Sequence, residues 1–246
     1  MSTTDAFPSP SRTDVPLPRS ASQADFAVSV ARRREDVVAG EEIVRHSFAS
    51  RVIHWTTAVT FFLCLFTGMP IWTPVFGWMS VFFGGLAVCR WLHPLLGVAF
   101  SAAMLVMFVH WAREMVLDRS DRGWFGPKLV RYLRYQEVDP DGGKYNGGQK
   151  LLFWAVSLAS LALLATGIVM WFPEVFPVLL REASILLHDS TFVLFTMAIV
   201  VHVYLGTAAE PGTFHSMTRG TVTRSWARMH HPRWYREVTR ERTGPG

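Results

Sequence analysis

Residues 183–208 read ASILLHDSTFVLFTMAIVVHVYLGTA, and they decide the fold. This stretch holds one formal charge, Asp189, and two histidines, His188 and His202. A bilayer core takes ~20 apolar residues per helix, because every backbone polar group must find its partner inside its own segment. The stretch is long and apolar enough to cross. The two histidines lie 14 residues apart. At ~100° and ~1.5 Å per residue they return to within ~40° of one face, about 21 Å apart along the axis. One helix therefore presents an imidazole near each membrane surface, on one stripe.

Three more charge-free runs precede it. Residues 52–89, 91–112 and 151–173 contain no Asp, Glu, Lys or Arg. The reading is four spans, at about 50–70, 91–112, 150–172 and 183–208. Pro70 and Pro74 end the first, Pro173 the third, and Pro211 with Gly212 follow the fourth. Residues 71–90, apolar but broken by Pro and Gly, read as a short interfacial helix and loop. The expected fold class is all-α, a four-helix transmembrane bundle. Composition agrees: of 246 residues, 50% are hydrophobic, with 10 Trp and 18 Phe against 24 basic and 19 acidic side chains. Trp55, Trp72, Trp91, Trp111, Trp154 and Trp171 fall near span ends, as an aromatic interface belt requires.

The basic residues set the topology. The N-terminus, the 113–150 loop and the tail carry 22 of the 24 Lys and Arg; only Arg90 and Arg181 lie on the other side. Cytoplasmic loops hold the excess of Lys and Arg, so both termini read as cytoplasmic. The positive balance then needs no nucleic acid to explain it. Residues 1–40, rich in Ser, Thr and Pro, read as a disordered cytoplasmic extension, and 41–246 as the four-span membrane domain with a basic tail. The first apolar run begins near Phe48, too late for a secretory signal peptide. The two cysteines, Cys64 and Cys89, stand apart, with no CxxC or CxxCH, which argues against Fe–S clusters, structural zinc and covalent haem.

Polar groups within spans are expensive and point to function. Five histidines lie in spans: His54, His93, His110, His188 and His202. His46, His215, His230 and His231 lie outside and read as solvated or interfacial. His188 needs a partner at the outer depth, which His93 supplies. His202 needs one at the inner depth, where His54 and His110 compete. His93 and His110 are 17 residues apart and point ~100° apart around their helix, so His54 is the better partner. Two bis-imidazole pairs stacked across a bundle fit two non-covalent b haems. The plain alternative is four histidines hydrogen-bonded to backbone or to one another. Gly68, Gly97, Gly167 and Gly206 suit close approach of bulky planar groups, or equally plain helix packing.

Several strings resemble a known family, the cytochrome b (gamma) subunit of respiratory membrane-bound formate dehydrogenase. They are RVIHW (51–55), RWLHPLLG (90–97), KYNGGQK (144–150) with the LLFW that follows, LLH (186–188), VVHVY (200–204) and RSWARMHHPRWYRE (224–237). The resemblance covers about 45–240. It implies His93 and His188 as axial iron ligands of an outer haem b, and His54 and His202 as those of an inner haem b. It further implies a quinone site at Asn146, Gly148 and Gln149, taking menaquinone or ubiquinone, with His202 close by. Amide side chains can hydrogen-bond a quinone oxygen, and glycines let backbone N–H groups approach. Without the resemblance, KYNGGQK reads as a glycine turn into the third span with Lys150 snorkelling.

The implied partners are an iron–sulfur (beta) subunit and, through it, a molybdenum or tungsten catalytic (alpha) subunit. The implied role is electron transfer from the periplasmic face to quinone near the cytoplasmic face, with no formate-oxidising residues in this chain. Glu137, Asp139 and Lys144 are candidates for proton delivery. Alternatives are the cytochrome b subunit of a hydrogenase or related oxidoreductase, a free-standing b561-type electron carrier, or a haem-free transporter or scaffold. Asp189 lies outside the family pattern.

Overall fold

The structure is a computed structural model that describes residues 23–126, 128, 130 and 142–240. Glu137 and Asp139 lie outside the described residues, as do the first 22 residues of the extension. The chain divides into two units. One comprises residues 52–118 and 148–209; the other comprises residues 1–51, 119–147 and 210–246.

Four long apolar helices make the first unit: α2 (Phe48–Trp72), α3 (Leu86–Trp111), α4 (Gly147–Trp171) and α5 (Val178–Tyr204). A π turn, Leu205–Ala209, extends the last, so that it runs to 32 residues. Each helix is long and apolar enough to span a bilayer. Their outward faces keep large side chains uncovered, such as Val109 (71% exposed) and Leu186 (71%). Lipid is the solvent that suits such faces. The protein is a multi-pass membrane protein.

The helices overrun the expected ends. Pro70 and Pro94 sit inside α2 and α3. Pro70 forfeits one backbone bond only two residues before the end, a cost the last turn absorbs. Of segment 71–90, Ile71 and Trp72 belong to α2 and 86–90 to α3; between them a 3₁₀ stretch, Pro74–Phe83, opens with Thr73 accepting from Val75 N–H and closes on Gly84.

The core of this unit is aromatic. Phe61, Phe100, Met104, Val156 and Phe195 are buried together. Phe61 and Phe195 stack at 5.0 Å, with Phe100 at 5.8 and 5.9 Å from them. Each Phe lies seven residues from a histidine (His54, His93, and both His188 and His202), nearly two helical turns. They therefore share the histidine stripes at mid-depth.

The second unit holds α1 (Gln23–Val30), β1 (Val37–Ala39), β2 (Glu42–Val44), α6 (Thr213–Thr218), β3 (Thr221–Thr223), α7 (Arg224–His230) and α8 (Pro232–Arg240). It also carries a 3₁₀ stretch, Arg119–Phe125. The strands form an antiparallel sheet in the order β1-β2-β3, with Val38 opposite Ile43 and Ile43 opposite Val222. Val38, Ile43 and Val222 pack on Trp226, Ala227, Trp234 and Val238 from α7 and α8. On the other side, Ala39 and Val44 pack with Phe26, Ala27 and Ala31 of α1 and its end. Alternation along three-residue strands thus feeds two small cores. Gly220 makes the join: its carbonyl accepts from Arg45 and His46 N–H, its φ is +88°, and a Cβ there would lie 2.5 Å from the His46 carbonyl oxygen.

This sheet adds to the all-α bundle something the sequence reading did not anticipate. Within residues 23–40 the chain forms α1 and β1, where Phe26, Ala27, Val37 and Val38 are buried.

Candidate functional site

The site is built from the bundle upward. His93 on α3 and His188 on α5 face one another with ring centroids 6.4 Å apart. His54 on α2 and His202 on α5 do the same at 6.2 Å. His110 takes no part in either pair; its ring lies edge-on to Trp111 at 4.7 Å. α5 supplies one histidine to each pair, as its 14-residue spacing requires.

The surroundings of His93 and His188 fix which nitrogen is free. His188 Nδ1 lies 2.9 Å from Thr166 Oγ1 on α4. That hydroxyl donates its own proton to the Ala162 carbonyl (2.7 Å). Thr166 must therefore accept, and Nδ1 must carry the hydrogen. His93 Nδ1 lies 3.0 Å from the Cys64 carbonyl and 3.3 Å from Thr67 Oγ1 on α2. Thr67 likewise donates back along its helix, to the Leu63 carbonyl (2.9 Å). In both rings Nε2 keeps its lone pair for another atom. Gly68 makes the approach possible, since a Cβ there would lie 2.8 Å from His93 Cε1. Around His54 the arrangement differs: among the described residues its buried Nδ1 has no hydrogen-bond partner. Asp189 is not the hydrogen-bond partner of His188 Nδ1, because Thr166 occupies that position.

These pairs fit axial ligation of a planar group. Two metal–nitrogen bonds of about 2.0 Å, with ~1.1 Å from each nitrogen to its ring centre, put imidazole centroids about 6 Å apart. Among the described residues, no three His, Cys, Asp or Glu side chains converge on one point. Two imidazoles alone leave a metal short of ligands; a porphyrin brings its own four nitrogens. The Nδ1–H bonds to carbonyl and hydroxyl oxygens match the usual support of a ligating histidine.

The residues of KYNGGQK lie at the start of α4. Asn146 is buried in the second unit, while Gly148 and Gln149 are half-buried in the first turn of α4. Lys150 forms an ion pair with Asp118 at 3.5 Å, so it does more than snorkel. Lys144, a candidate for proton delivery, bridges Glu35 (2.8 Å) and Asp36 (3.1 Å). Burial pushes the Glu35 carboxyl up. The Lys144 charge, with hydrogen bonds from Lys144, Ser50 and the Ser47 N–H, outweighs this and holds it at about 2.

The glycines just before KYNGGQK meet the tail string RSWARMHHPRWYRE within the second unit. The Arg233 N–H donates to the Gly142 carbonyl, and His231 Nδ1 lies 2.6 Å from the Gly143 carbonyl. Trp234 Nε1–H donates to Asp36 (2.8 Å). The Arg45 guanidinium lies 4.8, 5.7 and 5.8 Å from the rings of Trp226, Trp234 and Tyr145 and donates to the Lys144 carbonyl. His46 and His231, expected to be solvated or interfacial, are each 2% exposed. Burial and the Arg45 charge keep His231 neutral, well below the usual histidine range. Sequence reasoning missed Thr67, Thr166 and Arg45. A repeated Thr-Gly, at 67–68 and 166–167, was the available signal for the first two.

Residues 45–220 match the family described as prokaryotic cytochrome b561. The cytochrome b556(Fdn) subunit of the nitrate-inducible formate dehydrogenase of Escherichia coli K12 is 36% identical over 200 residues, 80% of this chain and 91% of that one. The formate dehydrogenase cytochrome b556 subunit of Haemophilus influenzae is 37% identical, over 79% and 83% of the two chains. A second Escherichia coli protein, the cytochrome b556(fdo) subunit, is 35% identical over 80% and 94%. The aligned lengths span nearly all of each relative, and b-type haem is what such a family implies. The chain, with its four apolar helices and facing imidazoles, belongs to the prokaryotic cytochrome b561 family.

Proposed function

We propose that this chain is the membrane-anchoring dihaem cytochrome b subunit of a formate dehydrogenase. It takes electrons from a periplasmic iron–sulfur subunit and reduces quinone near the cytoplasmic face. The observation that carries this reading is the pair of facing imidazole couples, at 6.4 and 6.2 Å, on four apolar helices. The similar proteins, cytochrome b556 subunits of formate dehydrogenases, supply the complex.

Haem b, when bound, supplies a one-electron iron couple at each pair. His93 and His188 would hold one, and His54 and His202 would hold the other. The Phe61, Phe100 and Phe195 cluster fills the bundle between the histidine levels and keeps water out. Asn146 and Gln149 offer amide groups to a quinone oxygen, with Gly148 leaving room for close approach. Quinone reduction consumes two protons, which favours the cytoplasmic side, where the Lys- and Arg-rich segments also belong. Both termini lie in the cytoplasm and the spans cross the bacterial inner membrane. The partner beyond the iron–sulfur subunit is the molybdenum or tungsten catalytic subunit.

The test is purification under mild detergent. A b-type spectrum with a co-purifying iron–sulfur subunit supports the reading, and slower quinone reduction in Asn146→Ala or Gln149→Ala with haem retained locates the quinone. A chain that runs alone, without an iron–sulfur partner, points instead to a free-standing b561-type carrier.

A further inference from the structure

We propose that Thr166 and Thr67 are positioning residues for the His93–His188 site, and that they set its haem at a lower potential than the haem of the His54–His202 site. The inference rests on the reading that each imidazole pair holds a haem.

Both threonines are buried, Thr67 at 0% and Thr166 at 5% exposure. Each sends its hydroxyl proton one turn back along its own helix, to Leu63 or Ala162. Each therefore turns a lone pair toward a histidine Nδ1 on a neighbouring helix, at 3.3 and 2.9 Å. The glycine that follows each one faces the same ring: the Cβ position of Gly68 lies 2.8 Å from His93 Cε1, and that of Gly167 lies 3.7 Å from His188 Cε1. The Thr-Gly dipeptide thus recurs on α2 and α4 as one device, an acceptor beside a space for the imidazole. α4 brings no histidine, so this is its contribution to the site.

An acceptor on Nδ1–H fixes the tautomer with Nε2 free and raises the basicity of Nε2. A more basic ligand favours the ferric over the ferrous state, which lowers the potential. The buried Nδ1 of His54 has no such acceptor among the described residues. The two sites share ligands and spacing, so their hydrogen bonding distinguishes them.

The two threonines also differ. Thr166 is the close acceptor for its ring, at 2.9 Å from His188 Nδ1 with the Leu163 carbonyl also a partner, whereas Thr67 stands back at 3.3 Å from His93 Nδ1 and the Cys64 carbonyl is nearer at 3.0 Å. Thr166→Val therefore has the larger effect. The experiment is an optical redox titration of the purified holoprotein, with low-spin haem EPR on the same samples. The wave lost in His188→Ala identifies the outer site. In Thr166→Val that wave shifts positive and its EPR signal moves, while the other wave stays. Thr67→Val shifts the same wave less, and Thr166→Ser restores the wild-type position. Two wild-type waves with neither moved in Thr166→Val overturn the assignment, as does an equal shift of both. A single wild-type haem defeats the two-haem reading and the assignment with it. If Thr166→Val binds no outer haem, Thr67→Val decides: a positive shift supports the assignment, an unmoved wave overturns it.

Discussion

The two imidazole pairs are near copies in spacing and opposites in support. The centroids stand 6.4 Å apart for His93–His188 and 6.2 Å for His54–His202. The first pair is held by two threonines and a backbone carbonyl, with Gly68 hollowed out beside it. In the second, His54 lies edge-on to Trp55 at 5.4 Å with its Nδ1 unbonded among the described residues. One helix can place two imidazoles by periodicity alone. Their chemistry is then set by what neighbouring helices bring to the far side of each ring.

The largest effect expected is from His188→Ala. On the proposed dihaem reading it removes the ligand of one pair only, so the outer haem should be lost and the inner one stay at least partly bound, read as b-type absorbance per chain. Next is Phe195→Ala, which opens the aromatic cluster midway along α5. The cost is about 3 kcal/mol, at the low end for such truncations because packing rather than water exclusion is lost in a bilayer. Thermal unfolding in detergent should show it, with both haem bands disturbed alike. Gly68→Ala sharpens the contrast from the other side. Its Cβ meets His93 Cε1 at 2.8 Å, so α2 or the ring must shift. Outer-haem occupancy should fall while the inner band is unchanged.

The smallest effect comes from pH and touches neither pair. His231 is neutral in the fold, with its titration depressed below 6.5 by burial and by Arg45. The unfolded chain takes up a proton below about 6.5 and the folded one does not, so stability falls as pH drops below that value. Glu35, held at about 2 against an ordinary 4.5, adds stability that is full above about 4.5 and lost between there and about 2. Limited proteolysis of the C-terminal tail should therefore quicken from pH 7 to pH 5, and His231→Asn should flatten that dependence while the haem spectrum holds.

Much of this was legible in the sequence, for physical reasons. The charge-free runs announced the spans, because a bilayer forbids what they lack. The 14-residue step put His188 and His202 on one stripe by helical geometry, and matching depths on other spans then offered His93 and, over His110, His54 as partners. The threonines were hidden because Thr166 meets His188 across 22 residues and two helices, and a threonine inside a span usually just bonds its own backbone. The small sheet was hidden because its strands are three residues long and come from both ends of the chain. Arg45 reads as a loop cation until Tyr145, Trp226 and Trp234 are brought around it.

The most direct measurement is haem b per chain, by extraction and pigment assay, in wild-type protein and in His188→Ala purified side by side. Two haems in the wild type and one in the variant is the expected result. Two haems in both would contradict the pairing of His93 with His188 on which everything else here depends.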